Sequence, residues 1–288
     1  MRRALILYYS ITGTTRKIAD AVATGLRRSG WQSDLRQVSH DTELDLEGYD
    51  MLGVGYPTHW FRPPVPVRRL LHRLPQLDGM PAFVFVSFGV EPGDAGNEVR
   101  RLLSRKAAWE VGYNRRHGAD YHIAYLREGY LFSPHAPTEE DLAWAKRFGE
   151  TVGARAVAGS ARYEPPAEDR APVPVYRVER LLASPPLTKA VFSRLFAVDP
   201  QKCTACGLCM TQCPEENIGS DASGKPRWGR QCLLCTTCER ICPEDAISSP
   251  VDWKIMRPLV RYNIRRAVRD PAVDYTRVRH QRGRVVEV

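Results

Sequence analysis

The sequence predicts a two-part protein: an α/β domain with a doubly wound, parallel five-stranded sheet, followed by a small α+β domain. Short apolar runs alternate with helical patterns in the N-terminal half. All eight cysteines of the 288-residue chain lie between Cys203 and Cys242. A chain of this length allows about two domains. The expected boundaries are 1–162 for the sheet domain, 163–196 for a proline-rich linker and docking segment, 197–250 for the cysteine domain and 251–288 for a basic extension.

The first strand is expected over Ala4 to Tyr9, and a hydroxyl-rich loop with a helical pattern follows it. Backbone N–H groups at the start of a helix favour an anion, and hydroxyl groups suit phosphate oxygens. The alternative is a plain N-cap, in which one hydroxyl satisfies the helix start and nothing binds. The loop residues with this potential are Ser10, Thr12, Gly13, Thr14 and Thr15.

Further apolar runs predict the rest of the sheet. The additional strands are expected at Ser33 to Val38, Met51 to Tyr56, Ala82 to Ser87 and Tyr121 to Leu126. Helices are expected at Leu70 to Leu74, Glu98 to Trp109 and Glu139 to Ala158. Alternation of strands and helices implies right-handed crossovers, and ligands of such sheets bind beyond the carboxyl ends of the strands. The loops after strands one, three and four all lie at that edge.

The cysteines form two matched runs. Cys203-Thr-Ala-Cys206-Gly-Leu-Cys209-Met-Thr-Gln-Cys213-Pro is repeated 29 positions later as Cys232-Leu-Leu-Cys235-Thr-Thr-Cys238-Glu-Arg-Ile-Cys242-Pro. Three thiolates at two-residue intervals can hold three corners of an iron–sulfur cube, while the fourth, before proline, serves the other cube. Zinc needs only four ligands and no run of this kind. A disulfide scaffold is disfavoured because the cysteines fill one short stretch of a long chain.

These motifs carry a resemblance to known families. The cysteine runs resemble bacterial two-cluster ferredoxins, Tyr9 to Thr15 resembles the phosphate loop of flavodoxins, and Gly55 to Trp60 resembles the loop that covers one face of their isoalloxazine ring. With this order of modules the chain resembles the prokaryotic flavodoxin–ferredoxin fusion proteins. The resemblance implies a flavodoxin-like fold, one FMN and two [4Fe–4S] clusters. It implies that one cluster is held by Cys203, Cys206, Cys209 and Cys242, and the other by Cys232, Cys235, Cys238 and Cys213.

The resemblance also implies flavin contacts in two loops. Trp60 and Tyr56 are candidates to stack on the ring, with core packing as the alternative and the favoured one for Tyr56. His59 is interpreted as a solvated loop residue rather than an acid or base, and no catalytic residue is assigned. The implied ring contacts are Tyr56, Pro57, Thr58, His59, Trp60, Ser87, Phe88 and Gly89.

Composition and charge limit the kinds of partner that can be expected. The formal charge of +9 falls to about +3 once two clusters and a flavin phosphate, each about −2, are added. The basic balance is therefore weak evidence for nucleic acid, and none is expected. No apolar run approaches the roughly 20 residues of a membrane span. The short apolar start is interpreted as a strand rather than a signal peptide, and oxygen-sensitive clusters favour a reducing, cytoplasmic location.

Two segments flank the cysteine runs. Arg162 to Tyr176 is rich in proline and is interpreted as an extended, semi-rigid linker, and Leu181 to Phe196 as a short helix that seats the second domain. Trp253 to Arg269 has the pattern of a basic amphipathic helix, which Pro258 interrupts. Such a helix can meet a membrane surface or an acidic partner, or simply cover a core with a solvated face, which is the favoured interpretation.

The expected function is electron transfer between two [4Fe–4S] clusters and FMN, which links one-electron and two-electron carriers. No G-x-G-x-x-G nicotinamide fingerprint is present, so a redox partner protein or a small electron carrier is favoured over NAD(P)H. Two alternatives are an FMN-dependent reductase or oxidase with its own organic substrate, and a redox-responsive binding module.

Overall fold

The protein was analysed as a computed structural model that describes residues 1–159, 163–169 and 174–288. The chain divides into two compact units. The sheet unit contains Met1–Gly118 and His135–Arg177, and the cysteine unit contains Ala119–Pro134 and Val178–Val288. This division differs from the expected boundaries, because 119–134 and 251–288 both belong to the unit that holds the cysteines. Arg162, Arg170 and Pro172 of the expected linker lie outside the described residues.

The sheet unit has the expected five-stranded sheet, in the order β2-β1-β3-β4-β5. All neighbouring strands are parallel. Its strands are β1 (Arg3–Tyr8), β2 (Gln32–Gln37), β3 (Met51–Pro57), β4 (Pro81–Phe88) and β5 (Trp109–His117). The order reverses between β1 and β3, and the carboxyl ends at this switch point are where such sheets bind ligands.

Helices of the sheet unit cover both faces of the sheet, as doubly wound folds require. They are α1 (Thr14–Arg28), α2 (Val65–His72), α3 (Ala95–Arg105) and α5 (Glu139–Ala158). Helices α1 and α5 approach closely, since an added Cβ on Gly25 would lie 1.9 Å from the carbonyl oxygen of Lys146. The predicted bounds of α5 are confirmed, and its start is fixed by a reciprocal capping box between Thr138 and Asp141.

The predicted fifth strand is wrong. Residues 121–126 lie in the cysteine unit and overlap a short helix, α4 (Ile123–Arg127). The fifth strand is β5, which begins at Trp109. Trp109 is the last residue of the stretch that was expected to be helical, whereas α3 ends at Arg105. Because β5 lies at the edge of the sheet, it carries polar residues such as Glu110 and Arg115 and lacks a continuous apolar run.

The cysteine unit consists of short elements. Its strands are β6 (Tyr130–Phe132), β7 (Ala197–Val198), β8 (Ile218–Ser220), β9 (Pro226–Trp228), β10 (Ile247–Ser248), β11 (Tyr275–Gln281) and β12 (Arg284–Glu287). The remaining helices are α6 (Pro174–Leu182), which contains the division between the units, α7 (Pro185–Ala190), α8 (Leu208–Thr211), α9 (Thr237–Arg240) and α10 (Arg257–Arg269). The segment expected as one short helix thus holds the end of α6, then α7 and a 3₁₀ turn at Phe192–Arg194.

The backbone repeats with the same 29-residue offset as the cysteines. Helices α8 and α9 start at equivalent positions, β7 is equivalent to β9, and β8 to β10. Three pairs of equivalent residues have a positive φ: Ala205 and Leu234, Gly207 and Thr236, Glu216 and Asp245. Strand β7 pairs with β10 and β8 with β9, so each half pairs its first strand with the second strand of the other half.

Parts of the cysteine unit outside the repeat contact the second cysteine run. Arg127 of α4 forms ion pairs with the buried Glu239 of α9, at 2.8 Å, and with Asp252. His280 of β11 lies 2.8 Å from the carbonyl oxygen of Arg240 through Nε2. Strand β11 also pairs with β6 and β12. The segment 119–134 and the C-terminal hairpin therefore cover the second run.

Helix α10 begins later than the sequence pattern indicated. It starts at Arg257, so Pro258 occupies its first turn, where proline is tolerated. Residues 254–256 form a separate 3₁₀ turn. Across the part of the chain that the structure describes, no helix has the length and apolar composition needed to cross a membrane.

Candidate cofactor sites

The loop between β1 and α1 has the features of an anion site. Gly13 turns the chain into the helix with a φ of 87°, and no side chain caps the helix start. The first turn of α1 contains no acidic residue, so the partial positive charge of the helix start is not compensated there. The hydroxyl oxygen of Ser10 is buried and has no hydrogen-bond partner among the described residues. These observations contradict the plain N-cap alternative and fit a bound phosphate group.

The hydroxyl residues of this loop are not equivalent. Thr12 and Thr14 lie near the surface with their hydroxyl oxygens 3.4 Å apart. Thr15 is buried, and its hydroxyl is 2.8 Å from that of Ser87 at the end of β4. Thr15 and Ser87 therefore join the loop to the neighbouring strand end, whereas Thr12 and Thr14 remain available to a ligand.

The loop after β3 starts in the core and then turns outward. Tyr56 is fully buried, and its hydroxyl donates to the carbonyl oxygen of Ala95 at 3.1 Å. This geometry supports the core-packing interpretation of Tyr56. Pro57 lies beside Ser87 in the register of β3 and β4, and the next residue, Thr58, donates its N–H to the Ser87 carbonyl oxygen at 2.8 Å.

A tight turn over residues 59–62 presents two aromatic residues. His59 and Arg62 exchange backbone hydrogen bonds of 2.9 Å, and between them Trp60 and Phe61 have φ values of 50° and 61°. Residues other than glycine rarely adopt this left-handed backbone conformation, and those that do are concentrated at functional sites such as ligand sites. Burial lowers the pKa of His59 to about 4, so its imidazole is neutral at pH 7. His59 is thus half-buried, with the edge of Tyr9 at 5.9 Å between ring centroids, rather than solvated.

The loop after β4 is held by the end of β5. Phe88 lies against the ring of His117, with centroids 4.3 Å apart, and its carbonyl oxygen accepts the N–H of Gly118 at 2.8 Å. Nδ1 of His117 is 3.0 Å from the carbonyl oxygen of Gly89. Gly118 also packs on the loop between β1 and α1, where an added Cβ would lie 2.5 Å from Cγ2 of Thr14. Sequence reasoning missed His117 and Gly118, which a correct assignment of β5 would have placed at this edge.

Tyr176 connects the loop after β3 with the loop after β4. Its hydroxyl accepts the N–H of Asp94 at 3.1 Å, and it also hydrogen-bonds the Asp94 carboxylate. Its ring lies 4.4 Å from that of Phe61, and an added Cβ on Gly93 would overlap the same ring. Tyr176 thus contacts the turn after β3 and the loop after β4 at once. The sequence carried no signal for this role, because Tyr176 follows a proline-rich segment.

The four cysteines implied for the first cluster lie together. Cys203, Cys206, Cys209 and Cys242 line one small cavity. Cys242 is buried, whereas Cys206 is exposed. The cavity therefore combines three residues of the first run with the last cysteine of the second, as the cross-over ligand pattern requires.

The other four thiols are also close enough to affect one another. Burial, together with the charges of Cys235 and Cys213, raises the pKa of Cys232 to about 12. Burial also raises the pKa values of Cys235 and Cys238. Buried thiolates need a compensating cation, and a metal deprotonates the thiols that it binds. Throughout the described ranges, no group of three or more His, Cys, Asp or Glu side chains has an arrangement that could hold a single metal ion.

Backbone N–H groups point at the sulfur atoms in both halves. The N–H of Asn217 donates to Sγ of Cys213 at 3.4 Å, and the equivalent N–H of Ala246 donates to Sγ of Cys242 at 3.3 Å. Leu234 donates in the same way to Cys232 at 3.3 Å. Hydrogen bonds of this kind to ligand sulfurs are among the features that tune iron–sulfur clusters, so the donor set fits an iron–sulfur group.

Two family models match the chain. A flavodoxin domain matches residues 5–119, and a 4Fe-4S dicluster domain matches residues 202–247. The chain therefore combines a flavodoxin domain with an iron–sulfur domain. The order of these two domains matches that of a flavodoxin–ferredoxin fusion. A flavodoxin domain implies FMN, and a 4Fe-4S domain implies an iron–sulfur cluster.

Comparison with individual proteins gives partial matches. An NAD(P)H dehydrogenase (quinone) from Gluconacetobacter diazotrophicus is 34% identical over an aligned region covering 22% of this chain and 41% of that enzyme. A flavodoxin structure from the domain Archaea is 20% identical, with a TM-score of 0.41, covering 54% of this chain and 99% of the flavodoxin. Rubredoxin oxygen:oxidoreductase from Desulfovibrio gigas is 17% identical, with a TM-score of 0.45, covering 55% of this chain and 37% of that enzyme. The chain thus spans less than half the length of the quinone dehydrogenase.

Proposed function

We propose that the protein passes electrons between two [4Fe–4S] clusters and one FMN, and so links one-electron carriers to two-electron carriers. The observation that carries this proposal is the grouping of eight cysteines into two sets of four in a chain that also has a flavodoxin domain. When bound, clusters exchange single electrons and FMN exchanges one or two, while the protein supplies binding and orientation. The partner is a redox protein or a small electron carrier.

The two ligand sets follow the cross-over pattern. Cys203, Cys206, Cys209 and Cys242 hold one cluster, supported by the cavity that they share. Cys232, Cys235, Cys238 and Cys213 hold the other, supported by their closeness, since Cys213 and Cys235 help to raise the pKa of Cys232, and Cys235 and Cys232 that of Cys238. Anaerobically purified protein should contain about eight irons per chain. Stoichiometric zinc with little iron would contradict this assignment.

The phosphate loop holds the FMN phosphate. Thr12, Gly13 and Thr14 line its open side, and the buried hydroxyl of Ser10 adds a donor. Thr15 and Ser87 act indirectly, because their hydroxyl groups bond to each other. The loops at Thr58–Trp60 and Phe88–Gly89 flank the flavin ring, and Trp60 covers one of its faces. His59 remains neutral there and contributes no charge.

Thr14→Asp tests the phosphate assignment. The new carboxylate would lie against the phosphate at the helix start, so we expect FMN binding to be abolished while iron content is unchanged. Thr151→Asp on the exposed face of α5 is the matched control and should retain both cofactors. Normal flavin content in the Thr14 variant would exclude this loop as the phosphate site.

Internal transfer is tested with complementary variants rather than separated domains. A single cut cannot separate the two units, because 119–134 belongs with the cysteine unit. The wild type is therefore compared with a mixture of Thr14→Asp, which lacks FMN, and Cys235→Ala, which lacks one cluster. After rapid reduction of the clusters, FMN in the wild type should be reduced at a rate independent of protein concentration. In the mixture, electrons from the Thr14→Asp protein should reach the FMN of the Cys235→Ala protein at a rate that rises with the concentration of the Thr14→Asp protein. Equal behaviour would show that the fusion only co-localises two carriers.

A second candidate is an FMN-dependent reductase with its own organic substrate. It is favoured by the 34% identity to a protein named as an NAD(P)H dehydrogenase (quinone). Steady oxidation of NADH or NADPH by the FMN-loaded protein in the presence of a soluble quinone would support this candidate. It should persist in Cys235→Ala if the clusters take no part.

A further inference from the structure

We propose that helix α10 and the turn before it form a docking surface for an acidic one-electron carrier protein. Four arginines at every fourth position share one face of α10, and Lys254 lies in the 3₁₀ turn before it. We call them the basic face: Lys254, Arg257, Arg261, Arg265 and Arg269. All five are exposed. This proposal rests on the electron-transfer function proposed above and names the class of partner that serves it.

Large apolar side chains accompany the basic face. Ile255 is 79% exposed, Trp253 43% and Tyr262 39%. Protein interfaces are enriched in Arg, Trp and Tyr, and a few buried aromatic anchors supply much of their affinity. A positive field around such anchors steers negatively charged proteins and accelerates their association.

The packing of α10 favours a protein over a membrane. An interfacial membrane helix buries its apolar face in the lipid. Here the apolar face of α10, formed by Val260, Ile264 and Ala267, is already buried in the cysteine unit. Among the described residues, Arg261 is the one member of the basic face with an ion pair, to Glu128 at 2.9 Å, and Asp270 follows the last residue of the helix.

The surface begins beside the second cysteine run. Asp252 precedes Trp253 and pairs with Arg127, which also pairs with Glu239, the neighbour of Cys238. A carrier that docks here would lie on the side of the cluster assigned to the second run. In each encounter the reduced carrier would lose one electron, which a cluster held by the second cysteine set would accept. Two encounters would supply the two electrons for FMN, with protons taken from water.

The test reverses two charges without disturbing the ion pair of Arg261. The variant is Arg257→Glu with Arg265→Glu, and the matched control is Arg279→Glu with Arg284→Glu, which makes the same charge change at exposed positions of β11 and β12. The probe is a reduced, acidic plant-type [2Fe–2S] ferredoxin mixed anaerobically in a stopped-flow instrument. At low salt the α10 variant should be reduced about tenfold more slowly than the wild type, and high salt should abolish the difference. The control should stay close to the wild type.

Two further measurements separate the possible failures. Dithionite needs no docking surface, so it should reduce the clusters of all three proteins equally. If dithionite-reduced clusters fail to reduce FMN, the proposed function is wrong, while the ferredoxin rates still report on docking. Equal ferredoxin rates in the two charge variants would overturn the docking surface. Co-sedimentation with phosphatidylcholine–phosphatidylserine vesicles that depends on Arg257 and Arg265, without an effect on ferredoxin rates, would assign the face to a membrane instead.

Discussion

The two cofactor sites of this protein are assembled in opposite ways. All eight cysteines lie within two short runs, and each run carries its own turns of positive φ, its own short helix and its own N–H groups aimed at sulfur. The proposed flavin site draws on the ends of β1, β3, β4 and β5 and on Tyr176, which are far apart in sequence. Local assembly makes a site robust to its surroundings, whereas assembly from distant segments makes it depend on the contacts that align them.

Paired cysteine substitutions should produce the largest effect and test how local the cysteine site is. Cys213 lies in the first run but is assigned to the cluster of the second. Cys213→Ala with Cys235→Ala should therefore retain about four of eight irons, whereas Cys213→Ala with Cys206→Ala should retain almost none. Iron analysis and electron paramagnetic resonance of anaerobic protein measure this. The opposite ranking would mean that each run holds its own cluster.

The ion pair of Arg127 should reveal one distant dependence of the second run. Arg127→Met would leave the buried Glu239 without its cation, so we expect a loss of about 3 kcal/mol in the stability of the cysteine unit. In the first run the position equivalent to Glu239 is Met210. Adding Glu239→Met should thus restore most of the loss, measured as the denaturation midpoint of the cluster absorbance. A double variant as unstable as the single one would contradict the ion-pair explanation.

Gly207→Thr would give the first run the residue that the second run has at Thr236. Gly207 has a φ of 77° and open space, with Cε of Met210 3.7 Å from an added Cβ, so the cost is backbone strain alone. We expect about 1–2 kcal/mol of destabilisation. Gly219→Ser is the control, since Gly219 has neither a positive φ nor a close neighbour. Similar effects of both substitutions would argue against the strain explanation.

Tyr176→Phe should give the smallest effect and probes the non-local site. The ring would remain against Phe61, but the hydrogen bonds to Asp94 would be lost, so the two loops would be aligned less firmly. We expect FMN to bind about fivefold more weakly, or about 1 kcal/mol, in a fluorescence titration. Tyr163→Phe is the matched control, since it removes a tyrosine hydroxyl that donates to Glu110 at 3.3 Å, away from both loops. Unchanged FMN affinity in Tyr176→Phe would remove Tyr176 from the flavin site.

The same contrast explains what could be predicted from the sequence. The cysteine sets and the phosphate loop could be proposed from the sequence because each is contiguous or evenly spaced. The fifth strand was misplaced because β5 is a polar edge strand and the apolar run near Tyr121 packs in the other unit. That error hid His117 and Gly118. Tyr176 was missed because its partners, Phe61 and Asp94, lie about 80 or more residues away, and single-residue contacts at such range leave no periodic signal.

The exchanged strands and cysteines have a consequence for the order of assembly during synthesis. The four cysteines assigned to the second cluster are complete once Cys238 has left the ribosome, whereas the first cluster must wait for Cys242, and β7 must wait for β10. The cluster whose motif comes first in the chain is therefore the last that can be completed. A nascent chain stalled with Cys238 exposed and Cys242 still inside the ribosome should accept one cluster and not two.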